Sequence, residues 1–126
     1  MIRIIQLGTP RNPDEGLRIG TVRRPPRGVR KDDIARKDIY DVWFPNLAPS
    51  EALLKESRPT DETSWRRFAR AYLAEMKAPL PRHDIELLAA LSHTTDLSVG
   101  CYCEDAQRCH RSLLRKLLAR AGAQLA

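Results

Sequence analysis

Cys101, Cys103 and Cys109 are all the cysteines of this chain, and they share the stretch 101–111 with His110 and Arg111. Thiols, an imidazole, the Glu104 carboxylate and guanidinium groups therefore meet within eleven residues. The first chemistry this set could do is that of a reactive thiol. Cys109 falls where a helix should begin, and a helix start favours thiolate through its dipole and free N–H groups. His110 beside it is the natural base, so Cys109 is the candidate nucleophile, His110 its base and Cys101 a wall of the same site. Read literally, Cys109 to Arg115 is also Cys-X5-Arg. A phosphate-binding loop needs glycine-rich backbone, however, and His-Arg-Ser-Leu-Leu reads as helix. The second chemistry is metal ligation: Cys101, Cys103, Cys109 and His110 could form a tetrahedral zinc site. Against it, Cys-X-Cys followed by adjacent Cys-His is not a standard knuckle spacing, and neighbours at a helix start rarely point one way. The third is anion binding by the helix N-terminus together with Arg111, Arg108 and Arg27. The plain alternative treats Cys101 and Cys109 as packed small hydrophobes. That suits each cysteine alone better than the cluster, because His110, Arg111 and Glu104 are costly to bury without a purpose.

The elements around the stretch should hold it at the handover from a strand to a helix. Residues 97–103 read as a strand whose alternation puts Cys101 and Cys103 on one face. Leu113, Leu114, Leu117, Leu118 and Ala121 give the following helix a packing face, and Gly122 fits its end. Upstream, residues 2–7 are isoleucine-rich like a doubly buried strand, and 17–23 alternate like a second. Residues 39–44 are β-prone up to Pro45. Ser50 caps a short helix over 51–56. Trp65, Phe68, Ala69, Tyr72, Leu73 and Met76 mark a helix over 62–77 that Pro79 and Pro81 should end, and a further helix spans 84–92. Strands alternating with helices predict one compact three-layer α/β domain over residues 1–126 with a small, mainly parallel sheet. In such folds ligands sit at the strand-to-helix junction.

Charge points to the partner. The chain carries a formal net charge of +6 over 126 residues, with ten Lys/Arg against four Asp/Glu up to Lys37 and an even balance afterwards. A localised basic segment favours phosphate, nucleotide or nucleic acid. Its densest part, residues 23–31, contains two prolines and reads as a loop on which Arg27 could clamp an anion while Gly28 allows close approach. No apolar run is long enough to span a membrane, and three cysteines do not read as a secreted disulfide framework. The expected compartment is the cytoplasm.

Several blocks resemble the YeaO-like family of bacterial proteins (domain of unknown function 488). Pro26-Arg27-Gly28-Val29 is similar to its Pro-Arg-Gly signature. Trp43 stands at the family's spacing from Ala48-Pro49-Ser50. Trp65, Phe68 and Tyr72 resemble its Trp-X2-Phe-X3-Tyr helix, and Cys109-His110-Arg111 its Cys-His-Arg. Pro25 stands where the common family form has tryptophan, and many members lack Cys103. The resemblance implies a Rossmann-like α/β domain and no particular activity.

These readings combine into a protein that holds a small anionic, phosphate- or nucleotide-like ligand. Arg27, Gly28, Arg111, Glu104 and Trp43 would bind it, with thiol chemistry from Cys109, His110 and Cys101. That reading needs no cofactor. The alternatives are a non-enzymatic nucleic-acid binder using the basic segment and a Cys/His zinc protein.

Overall fold

In the computed structural model, which describes residues 1–56, 59–103, 105 and 108–126, four strands form one sheet. They are β1 (Ile2–Gln6), β2 (Leu17–Gly20), β3 (Val42–Trp43) and β4 (Leu97–Cys101), in the order β1-β4-β2-β3 with every pairing parallel. The helices are α1 (Glu51–Glu56), α2 (Glu62–Glu75), α3 (Pro79–Leu91) and α4 (His110–Arg120). This is the expected α/β architecture with a small parallel sheet.

All four helices pack on one face. Ile2, Ile19, Leu97 and Val99 point to that side and meet Leu53, Phe68, Tyr72, Leu88, Leu114 and Leu118. Each fully buried aliphatic side chain there contributes about 1.5–3 kcal/mol of transfer free energy. The aromatic residues of α2 serve this core: Phe68 stacks between Trp65 and Tyr72, and the Tyr72 hydroxyl donates to the Leu47 carbonyl at 2.7 Å. Irregular chain, not helix, covers the other face. Leu7, Val22, Ile34, Ile39 and Tyr40 form a second apolar cluster there, and Cys101 and Cys109 belong to it.

That face also holds a buried ion pair. Arg18 Nε donates to Glu15 Oε1 at 2.6 Å, with Arg18 fully buried and Glu15 2% exposed. Arg18 further donates to the carbonyls of Thr9 and Asp38, and Ser98 Oγ reaches Glu15 at 3.3 Å. The pair thus ties the loop after β1 to the loop before β3. Burial would raise the Glu15 carboxyl, but hydrogen bonds from Arg18 and the Asn12 N–H hold it below its ordinary value.

Several boundaries differ from the sequence expectation, and the strand expected over 17–23 already ends at Gly20. Pro79 begins α3 instead of only ending α2, because proline's missing N–H costs nothing in a first turn. The strand expected over 39–44 shrinks to Val42–Trp43. Its first part is diverted where Asp38 takes a φ of 59° and the Asp41 carboxylate accepts the Arg18 N–H at 2.8 Å. The strand expected over 97–103 ends at Cys101. No helix among the described residues is long and apolar enough to cross a membrane.

Candidate active site

The sheet order itself marks a crevice. Chain leaving β2 runs on toward β3, whereas chain leaving β4 turns back through α4 to a parallel bridge between Ile2 and Leu125, beside β1. The connections therefore diverge between the carboxyl ends of β2 and β4, and such a switch point leaves a cleft in parallel sheets. Gly100 lets the strands close tightly just before it, since a Cβ there would lie 2.5 Å from the Ile5 carbonyl oxygen. Cys101, the last residue of β4, is fixed by its carbonyl, which accepts the Leu7 N–H at 2.8 Å.

The three sulfurs converge on this end of the sheet. Their Sγ atoms all lie within 4.8 Å of one another, and Cys101 Sγ is 2.7 Å from Cys109 Sγ. All three are free thiols; Cys101 and Cys109 are buried, and residue Cys103 is exposed. Cys103 is brought back over the other two although the strand has ended. Its carbonyl accepts Arg111 Nη2 at 2.6 Å, which folds the chain toward the start of α4. Cys109 occupies the N-cap of α4 in extended conformation, so its side chain faces the sheet end.

His110 supports the trio from below. Its ring is buried, its Nε2 lies 2.7 Å from the Thr21 carbonyl oxygen, and its Nδ1 lies 3.7 Å from Cys109 Sγ. A carbonyl can only accept, so Nε2 carries the proton and Nδ1 turns its lone pair toward Cys109. Burial lowers the His110 pKa, and the hydrogen bond to Thr21 opposes this only in part, so the ring is neutral. Tyr72 closes that side with its ring centroid 5.6 Å away.

The thiols are electrostatically unequal. Hydrogen bonds from Cys101 and then Cys109, with the positive charge of Arg111, hold the Cys103 thiol far below its ordinary value against the opposing effect of burial. Donating to Cys103 and Cys109, together with burial, drives Cys101 up. For Cys109 the hydrogen bond with Cys101 pulls down, while the one given to Cys103 and burial push up, and it ends above its ordinary value. These directions favour ionisation at Cys103, the exposed residue of the three, ahead of Cys101 and Cys109.

Cys101, Tyr102, Cys103 and His110 form one wall of a cleft of about 490 Å³, a volume suited to a small ligand. Arg23, Arg24 and Arg27 stand around it, with Val22, Pro49 and Leu54 as apolar lining. Arg23 is spent on the Pro49 and Ala48 carbonyls, at 3.0 and 3.1 Å, and Arg24 pairs with Glu51 at 3.2 Å. Among the described residues Arg27 has no ion-pair partner, which leaves its guanidinium free for a ligand.

The expected site residues are thus only partly brought together. Cys101, Cys109, His110 and Arg27 gather as the sequence suggests. Gly28, at a φ of 71° with open space at its Cβ position, shapes the turn that carries Arg27 and does not line the cleft. Arg111 is 4% exposed and holds the Cys103 carbonyl instead of facing the cleft. Trp43 lines a separate cleft with Pro25, Val29 and Tyr40, and its Nε1 donates to the Val22 carbonyl at 2.9 Å. Glu104 lies outside the described residues. The ring nitrogens of His110 are not part of the converging sulfur group. Sequence reasoning undervalued Cys103 and passed over Tyr102, and the Thr21 carbonyl, a backbone group, carries no residue-type signal at all.

A family model described as the active DUF488-N3 subclade matches residues 2–122, and the chain belongs to that family. No curated protein and no solved structure matches it.

Proposed function

We propose that this DUF488-N3 member is a thiol catalyst in which Cys103 attacks a small anionic substrate held in the arginine-lined cleft. One observation carries the reading: three sulfurs lie within 4.8 Å of one another, two on buried residues and one on the exposed Cys103, which lines a cleft that Arg27 borders. A nucleophile must be ionisable, reachable and positioned, and the lowered pKa of Cys103, its exposure and its place in the cleft wall support that role. The role that the sequence suggested for Cys109 passes to Cys103. Cys101 and Cys109 hold its charge by S–H donation, and His110 Nδ1 takes up the Cys109 proton when that thiol must ionise. Arg27 supplies the counter-charge for a carboxylate or phosphate on the substrate. Arg11, Arg18, Arg23, Arg24 and Arg36 all hold partners inside the fold, which supports a small anion over an extended nucleic-acid surface.

The test uses two alkylating probes that differ in charge. Iodoacetate and neutral iodoacetamide are offered at neutral pH, and labelled sites are read by peptide mass spectrometry. Cys103 labels first with both, its preference for iodoacetate exceeds that of free cysteine, and inorganic phosphate slows the reaction. Labelling of Cys103 no faster than a free thiol, or unaffected by phosphate, would sink the reading.

A further inference from the structure

A nucleophilic thiol needs one hydrogen-bond donor, not two further thiols in contact with each other. Cys101 Sγ and Cys109 Sγ, 2.7 Å apart, are nearer than non-bonded sulfurs ordinarily pack, yet longer than the roughly 2.05 Å of a disulfide. Both lie within 4.8 Å of Cys103 Sγ. The three sulfurs are thus near enough for any two to join after a small movement, and His110 Nδ1 stands beside Cys109 to accept its proton. Resting on Cys103 as nucleophile, we infer that the substrate is a hydroperoxide bearing an anionic group, and that the site reduces it by converting two of its three thiols to a disulfide.

The steps balance. The Cys103 thiolate attacks the terminal peroxide oxygen; the O–O bond breaks, an S–O bond forms, and the leaving alkoxide takes a proton from solvent water at the cleft mouth to become the alcohol. Cys103 is then a sulfenic acid, oxidised by two electrons. Cys109 gives its proton to His110 Nδ1 and its sulfur attacks Cys103. An S–S bond forms as the S–O bond breaks, and hydroxide leaves as water with the proton from His110. Cys101 attacks Cys109 in turn; its proton passes to the departing Cys103 sulfur and from there to solvent, so the disulfide moves to the buried Cys101–Cys109 pair and Cys103 is freed as thiolate. A small dithiol reductant closes the cycle by exchange. Arg27 orients the anionic end of the substrate so that the peroxide faces Cys103.

Trypsin can read this directly, because Arg108 and Arg111 bracket Cys109 and place it in a peptide separate from Cys101 and Cys103. The full chain, reduced with dithiothreitol and freed of reductant, is treated with one equivalent of hydrogen peroxide or of a carboxylate-bearing hydroperoxide, then digested without reduction. The inference expects peroxide consumption about 100-fold or more above free cysteine. It also expects peptide 109–111 linked to the peptide holding Cys101 and Cys103, and faster reaction with the carboxylated peroxide than with hydrogen peroxide. C103S abolishes consumption, and the double variant C101A/C109A, its fold checked by circular dichroism, stops at a sulfenic acid that dimedone traps. Should the double variant misfold, C101A serves instead: it keeps the link to peptide 109–111 but confines it to Cys103. Rapid alkylation of Cys103 with peptide 109–111 left unlinked after peroxide would overturn the inference and leave the nucleophile standing. Slow alkylation of Cys103 would remove both.

Discussion

Glu15 with Arg18, and Cys103 with Cys101 and Cys109, are two polar clusters that the fold treats in opposite ways. The ion pair sits under the loops of the second sheet face, where its charges are met by Ser98, the Asn12 N–H and two backbone carbonyls. The thiol trio sits at the carboxyl end of the sheet, and Cys103, the member whose pKa is lowered, lines a cleft. The first cluster takes its partners from the fold, with only the buried Arg18 Nη2 left unpaired, and holds chain together. The second meets Cys103 from within through Cys101, Cys109 and Arg111, and leaves its other side open to the cleft. Burial alone therefore does not distinguish a structural polar group from a chemical one; what matters is whether the fold encloses the group or opens it to a cleft.

Breaking one partner of the ion pair gives the largest expected change. E15Q should lose about 3–5 kcal/mol in urea unfolding, because Arg18 would stay buried with its charge uncompensated. The folded fraction should still label at Cys103 with unchanged rate, and a parallel change would mean that the clusters are not separate. C103S should do the converse. It removes rapid alkylation while shifting stability by only about 0.5 kcal/mol or less, as expected of an exposed residue. R27A should weaken phosphate protection of Cys103 about tenfold, the scale of one charge-assisted hydrogen bond, and leave the labelling rate without phosphate within a few-fold.

The smallest effect is a pH dependence at His110, which faces Cys103, Cys109, Arg111 and Tyr72. Its folded pKa lies below the unfolded value of about 6.5, so its contribution is fully present above that pH and is lost as pH falls. Urea unfolding compared at pH 7.5 and 5.5 should show a decline that H110N flattens. An equal decline in both proteins would place the acid sensitivity elsewhere.

The strand-to-helix handover around residues 101–111 was readable because two periodicities flank it: buried residues 97–101 and the leucines of α4. The aromatic stripe of α2 was readable as core for the same reason. What escaped depends on chain direction after regular structure ends. Alternation brings Cys103 to the side of Cys101 only while a strand continues, yet the strand stops at Cys101 and the Arg111–carbonyl bond makes the approach instead. Arg111 looks like an anion ligand by type and becomes a positioning residue by burial. Trp43 sits on an edge strand that the Asp38–Asp41 turn directs away from the thiols, and no residue pattern announces that turn.

The central claim is that the exposed sulfur of the trio is a thiolate at neutral pH. The direct measurement is the rate of iodoacetamide labelling at Cys103, resolved by peptide mass spectrometry across pH. The account predicts a rate that stays flat from about pH 8 to about pH 6, well below the ordinary thiol pKa of about 8.5. A rate that instead rises through a midpoint near that ordinary value would contradict it.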